Sequence, residues 1–400
     1  MGALLAKEST ESEETTNSSL DNLPVELQLA CLARVPYKDL REVVACTCKS
    51  WRNLVATEVF RKTREAAGFA EWAVFAGSIG HTASCYLITA SGAHRTAQRP
   101  PVRNLFTMRL SSASGDVVAV LEPDDGPSSW EEGPPGTMRA HSFDPRRNRW
   151  SPIAPIVGGQ GGNTSLSLRE DVGVGSVGNK IYVLGGAVGV SISTTRAFSA
   201  YDAATGEWSQ LPNLPFKSAY TNTVEVDGRL WCYASTRLEG RTQIYDPEAE
   251  SWTQGPDLPH ELFGIDEAGT YHCTAYELRG RFCVLAKFQG NDNRDAYSGE
   301  RYSYRTFAWD PTSEEWEENP FPLPPQCATR CASVDDYLVA FGSEPVGGVD
   351  YGNPQDLLAY QQGQTTRLHV LAPWATVWAE WRLPADCSVL GTRTTAVCIG

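Results

Sequence analysis

The chain has 400 residues, 41% of them hydrophobic, and carries a formal net charge of −14. That length accommodates a short domain beside a large one. The acidic balance excludes the basic footprint of nucleic-acid binding and any pull toward anionic lipid. No apolar run approaches the roughly 18–20 residues of a membrane span. The eleven cysteines are scattered. The nearest couples, Cys46/Cys48 and Cys327/Cys331, lack CxxC spacing and have no histidine at ligand spacing. They read as reduced thiols of an intracellular protein, in cytoplasm, nucleus or both, with no metal and no other cofactor.

Charge is unevenly placed. Residues 1–20 sum to −3, residues 21–70 to +2 and the remainder to −13. A slightly basic head therefore precedes an acidic body, and the two are expected to meet different surfaces. Residues 1–19 form an acidic tail without aromatics, which cannot bury enough surface to order itself.

Order is expected over a helical head, residues 20–68. In "DNLPVELQLACLARVP", Asp21 or Asn22 can cap a helix and Pro24 suits its first turn. From Asp39, a good N-cap, Leu40, Val43, Val44, Trp51, Leu54 and Val55 fall on a single helical stripe. A further short helix is expected over "TEVFRKTREAAG", ending near Gly68. The stretch "LPVELQLACLARVPYKDLREVVACTCKSWRNLV" resembles an F-box. The resemblance rests on Leu23, Pro24, Leu27, Leu32, Val35, Pro36, Leu40, Val43, Cys48 and Trp51. It implies that these residues dock a Skp-type adaptor and, through it, a cullin. Independently of the name, a head this small has too little core to bury all its apolar side chains, so some should face a partner.

Residues 69–400 contain a recurring element. Asp144, Asp202, Asp246 and Asp310 each stand six residues before a tryptophan, Trp150, Trp208, Trp252 and Trp316. An aromatic precedes each aspartate, and prolines follow each tryptophan. The tryptophans lie 58, 44 and 64 residues apart, a period near that of repeat architectures. Turn signals introduce near-continuous apolar runs at 181–184, 230–233, 282–285 and 337–341, the pattern of hairpins whose second strand is buried on both faces. Each unit thus reads as hairpin, aspartate strand, tight turn, tryptophan strand and proline exit. Four-stranded units of this kind assemble into a β-propeller, with the apolar strands expected next to its axis.

The aspartate and tryptophan read as structural. The aspartate starts a turn by bonding its own backbone, and the tryptophan packs between neighbouring blades. The unit containing Gly185, Gly186, Tyr201 and Trp208 resembles a kelch repeat. In later units Ala234-Ser235 and Ala286-Lys287 replace the double glycine. At about 50 residues per kelch blade, the body is an all-β propeller of six blades, with five as the alternative. "WAVFAG" at 72–77 would open the ring and "TTAVCIG" at the C-terminus would close it. Two stretches, 76–136 and 287–305, break the period as long loops, where binding residues gather. The second supplies Arg294, Tyr297, Arg301, Tyr302, Tyr304 and Arg305, of types enriched at hot spots. They are the candidate target-binding residues.

An F-box followed by kelch repeats resembles the mostly plant F-box/kelch family, whose members are substrate receptors of Skp–cullin–F-box ubiquitin ligases. The resemblance implies a non-catalytic receptor: the head holds the ligase, and the propeller holds an unidentified target protein for degradation. Two alternatives stand beside it. One is a kelch scaffold or cytoskeletal protein whose head is a dimerisation element. The other is a propeller enzyme. A copper-oxidase site would need a Tyr/His cluster that six scattered histidines do not suggest. Sialidase Asp-boxes step five residues from Asp to Trp rather than six.

Overall fold

The computed structural model describes residues 23–69, 71–78, 84–89, 92–95, 108–113, 116–121, 138–145, 147–156, 172–188, 193–217, 222–235, 240–259, 270–289, 302–323, 328–334, 337–343, 366–371, 375–381 and 393–399. The tail at 1–19 lies outside them. Backbone contacts divide the chain into two units, one ending at Ala70 and one spanning Glu71–Ile399.

The first unit is helical. Val25–Leu32 begins after Pro24, whose carbonyl accepts the N–H groups of Leu27 and Gln28, each at 3.0 Å. The single stripe read from Asp39 is instead divided between two helices. Helix is already under way at Tyr37–Asp39, continues as a π-helical turn over Leu40–Val44 and ends with Ala45–Thr47. Asp39 therefore sits inside the helix and makes no capping bond. Cys48 breaks the run by turning extended (φ −150°, ψ 164°), and its Sγ accepts the Trp51 N–H at 3.4 Å to start Lys49–Val55. Thr57 Oγ1 does the same for Glu58–Ala66, accepting the Phe60 N–H at 3.2 Å. That last helix stops where Gly68 takes φ +72°, which lets the Phe69 N–H return to the Arg64 carbonyl at 2.9 Å. Leu29, Leu32, Ala33, Leu40, Val44 and Phe60 form the core.

The second unit contains six four-stranded antiparallel sheets among the described residues. Blade 3 is representative: Gly173–Val177, Lys180–Leu184, Phe198–Asp202 and Glu207–Gln210 lie in order from inner to outer edge. The innermost strands are Arg393–Ile399, Met108–Ala113, Gly173–Val177, Asn222–Val226, Thr270–Leu278 and Ala328–Val334. Each packs on the next, and the last packs on the first, so the ring closes. Closure is made by the C-terminal strand, which pairs with Glu71–Ser78 from Glu71↔Ile399 to Gly77↔Arg393.

The apolar runs are the second strands of their blades, not the innermost as the sequence suggested. The inner strands are smaller and more polar because they converge on one another. A Cβ at Gly175 would overlap the Thr223 side chain of the next inner strand, whose Oγ1 donates to the Val174 carbonyl at 2.7 Å. The stretch read as a long loop over 76–136 also differs. It contains the strands Ser84–Thr89, Gly92–Arg95, Met108–Ala113 and Asp116–Leu121.

Candidate functional site

In the head, the core claims part of the sequence-derived docking set and leaves the rest outside. Leu32 and Leu40 are buried in the core, with Val35 and Trp51 packed against it. Cys48 is a helix cap. Pro24 and Pro36 are exposed and precede helix starts. Leu23, Leu27 and Val43 are 36%, 51% and 59% exposed. Three further apolar side chains stand out with them, Val25 at 54%, Val59 at 61% and Phe69 at 40%. Identity alone did not set the two valines apart; the helical phase of the buried Leu29, Leu32 and Phe60 would have. Among the described residues of the head, the exposed charges are mostly basic: Arg34, Lys38, Lys49, Arg52 and Lys62 against Glu26 and Asp39.

Arg64 holds this face in shape. Its guanidinium is 1% exposed. Nη1 donates to the carbonyls of Ala33 and Val35, and Nη2 donates to that of Phe69. A cation thus sits on the carbonyl end of the first helix, where the helix dipole favours it. It also ties the loop before Pro36 to the end of the unit.

In the propeller, the Asp-to-Trp elements span the turns between third and fourth strands. The Asp202 carboxylate accepts the Ala204 N–H at 2.8 Å, that of Asp246 accepts Glu248 and Ala249, that of Asp310 accepts Thr312, and that of Asp144 accepts Arg147. Backbone N–H donors hold the Asp246 and Asp310 carboxyls below the ordinary carboxylate value of 3.8. The tryptophans latch adjacent blades. Trp208 Nε1 donates to the Ala154 carbonyl at 2.7 Å, Trp252 to Pro212 at 3.1 Å and Trp316 to Asp257 at 2.7 Å. Every acceptor lies in the proline exit of the preceding blade. A fourth latch joins Trp378 of blade 6 to Pro322 at 3.1 Å. Sequence spacing missed it because no aspartate stands six residues before Trp378.

Antiparallel order sorts the connections onto two edges. Tight turns at 178–179, 203–206, 227–228, 247–250, 279–280 and 311–314 share one edge. The second-to-third-strand and blade-to-blade connections leave from the other, and all but the four residues 236–239 are longer. Arg294, Tyr297 and Arg301 lie outside the described residues. Gln289 and Tyr302, which flank their segment, are register partners at that second edge. Tyr302 already belongs to the strand Tyr302–Asp310. Tyr304 is 8% exposed and packs into the core, while Arg305 pairs with Glu318 at 2.7 Å. The thiols Cys85, Cys232 and Cys283 are buried, and desolvation pushes each upward, Cys85 to about 12.

The F-box domain model matches residues 20–63, and the Kelch motif model matches residues 168–215. The chain joins an F-box to a kelch-repeat propeller. It is 24% identical over 323 residues to F-box/kelch-repeat protein At1g22040 of Arabidopsis thaliana, covering 66% of this chain and 65% of that one. It is 32% identical over 148 residues to human Kelch repeat and BTB domain-containing protein 13, covering 36% of this chain and 29% of that one. It is 26% identical over 205 residues to the N-(sulfonatooxy)prop-2-enimidothioate sulfolyase of Thlaspi arvense, covering 44% of this chain and 55% of that one. The matched spans thus cover two thirds or less of these relatives.

Proposed function

We propose that this F-box/kelch protein is a non-catalytic substrate receptor of a Skp–cullin–F-box ubiquitin ligase, acting in cytoplasm, nucleus or both. The observation that carries the reading is the set of exposed apolar side chains, Leu23, Val25, Leu27, Val43, Val59 and Phe69, left outside a filled core. Such side chains are costly in water and stabilise an interface once covered. On this reading the adaptor covers them, and the exposed basic residues of the head meet an acidic partner surface. The propeller then meets its target protein at the edge from which the longer connections leave. Ubiquitination follows from raised local concentration of a target lysine near the loaded conjugating enzyme.

The test is co-purification of the full chain with a Skp-type adaptor, beside the double variant Leu27→Asp/Val43→Asp. Both side chains are outside the core, so the variant should keep the thermal transition of the parent. Capture by the parent and its loss in the variant is the expected result. Equal capture by both, or none by the parent, sinks the proposal.

A further inference from the structure

We propose that the propeller is shielded from the ligase it serves because it carries almost no ubiquitin acceptors, so that conjugation falls on the bound target. This rests on the receptor reading above. The chain has 34 basic residues, of which seven are lysines, at 7, 38, 49, 62, 180, 217 and 287. Residues 1–70 hold four lysines and five arginines; residues 71–400 hold three lysines and 22 arginines. A general codon preference for arginine would act on both regions alike, and it does not.

The propeller still needs surface cations. Among the described residues, the ion pairs Arg147–Asp144, Arg229–Asp246, Arg281–Glu317 and Arg305–Glu318 lie between 2.7 and 3.2 Å, and each of them uses arginine. Arginine supplies the charge without the chemistry. In conjugation a deprotonated lysine Nζ attacks the thioester carbonyl of ubiquitin held on a conjugating enzyme. The C–N bond forms, the C–S bond breaks, and the amine proton ends on the departing thiolate. A guanidinium stays protonated and delocalised, and takes no part. Of the three lysines left, Lys180 is half-buried at the start of a second strand, and Lys217 is exposed in the exit of blade 3. Lys287 lies within Arg281–Gln289, opposite Tyr304. The exposed Lys38, Lys49 and Lys62 lie in the head.

The experiment is a reconstituted ligase containing the full chain, a Skp-type adaptor, cullin, RING subunit and ubiquitin-loaded conjugating enzyme, without target. Conjugation sites are mapped by mass spectrometry. The parent should carry little ubiquitin beyond residue 70, and replacing its three propeller lysines by arginine should not lower total conjugation. Arg149→Lys, Arg196→Lys and Arg241→Lys, at exposed positions of blades 2, 3 and 4, should each gain a new conjugate and raise propeller modification several-fold. Their thermal transitions, matched to the parent's, report that the fold is intact. Ready conjugation of the parent at 180, 217 or 287 overturns the inference, and so do new lysines that stay unmodified. Failure to assemble with the adaptor overturns the receptor reading itself, which separates the two outcomes.

Discussion

In the head, six apolar side chains stand 36–61% exposed beside a core of six buried residues. In the propeller, Leu323 and Val377 are exposed, but most of the large apolar side chains described go into the seams between blades. The seam of blades 3 and 4 holds Tyr182, Phe198, Leu214, Leu230, Cys232 and Tyr245, with Trp252 against them. Phe198 meets Tyr245 edge-on at 4.7 Å and Trp252 at 4.9 Å. Exit residues repeat the arrangement: Leu214 packs with Trp252, Leu258 with Trp316 and Phe321 with Trp378. The difference follows from what each unit can reach. A blade always has a neighbour on both sides, because the ring is closed. A few short helices have none, and their surplus is left for another chain.

The hardest test of this contrast is to open a seam. Phe198→Ala removes a fully buried ring touching Tyr182, Tyr245 and Trp252. The expected loss is about 3–5 kcal/mol, seen as a lower denaturant midpoint for the propeller transition. Adaptor capture by the head should persist, since the two units have separate cores. Concerted loss of both would show that the head depends on the ring.

A gentler test addresses the latches. Trp316→Phe keeps most of the ring but deletes the indole N–H and leaves the Asp257 carbonyl without that donor. The expected cost is about 1 kcal/mol. Trp252→Phe should cost a similar amount, because its indole N–H bonds the Pro212 carbonyl in the corresponding exit one blade earlier. A cost near zero at both would mean that the tryptophans act by packing alone.

The regular blades were legible because their parts are local. An aspartate that bonds the N–H two or three residues on, and a tryptophan directly across the turn, leave a fixed spacing. Phe143↔Trp150, Tyr201↔Trp208, Tyr245↔Trp252 and Trp309↔Trp316 are all register pairs. Blade 6 keeps the latch, but Ala372 stands where the aspartate would be, so its Trp378 gave no signal. The placement of the apolar strands was misread for a different reason. Burial on both faces marks a central strand, but it does not say how crowded the centre of the ring is. That depends on contacts between blades, as at Gly175 and Thr223. In the head, hydrophobic periodicity could not reveal the π-helical turn at Leu40–Val44 or the break at Cys48. Both change the phase of the helix without changing composition. The docking set was recognised by resemblance, which does not separate the core Leu32 and Leu40 from the exposed Leu27 and Val43.

The smallest effect concerns acid. The propeller's turns at Asp246 and Asp310 are held by carboxylates, whereas the Cys48 sulfur and the Thr57 hydroxyl cap head helices. Backbone N–H groups lower both carboxyls below 3.8, with Ala249 first for Asp246 and Thr312 first for Asp310. A depressed folded value means the charged form is favoured by folding. The stabilisation is therefore complete above the unfolded value, and it is lost as pH falls through the folded one. Between pH 7 and 5 neither unit should respond through these groups. Below about pH 4 the propeller transition should fall faster than that of the head. Asp246→Asn/Asp310→Asn keeps an acceptor oxygen in each turn but removes the titration. In that variant the acid limb of the propeller should flatten toward that of the head, while its stability at pH 7 changes little. Calorimetric scans of parent and variant from pH 7 to 3 decide the matter. Parallel curves over that range would place the acid sensitivity in other carboxylates and remove this part of the contrast.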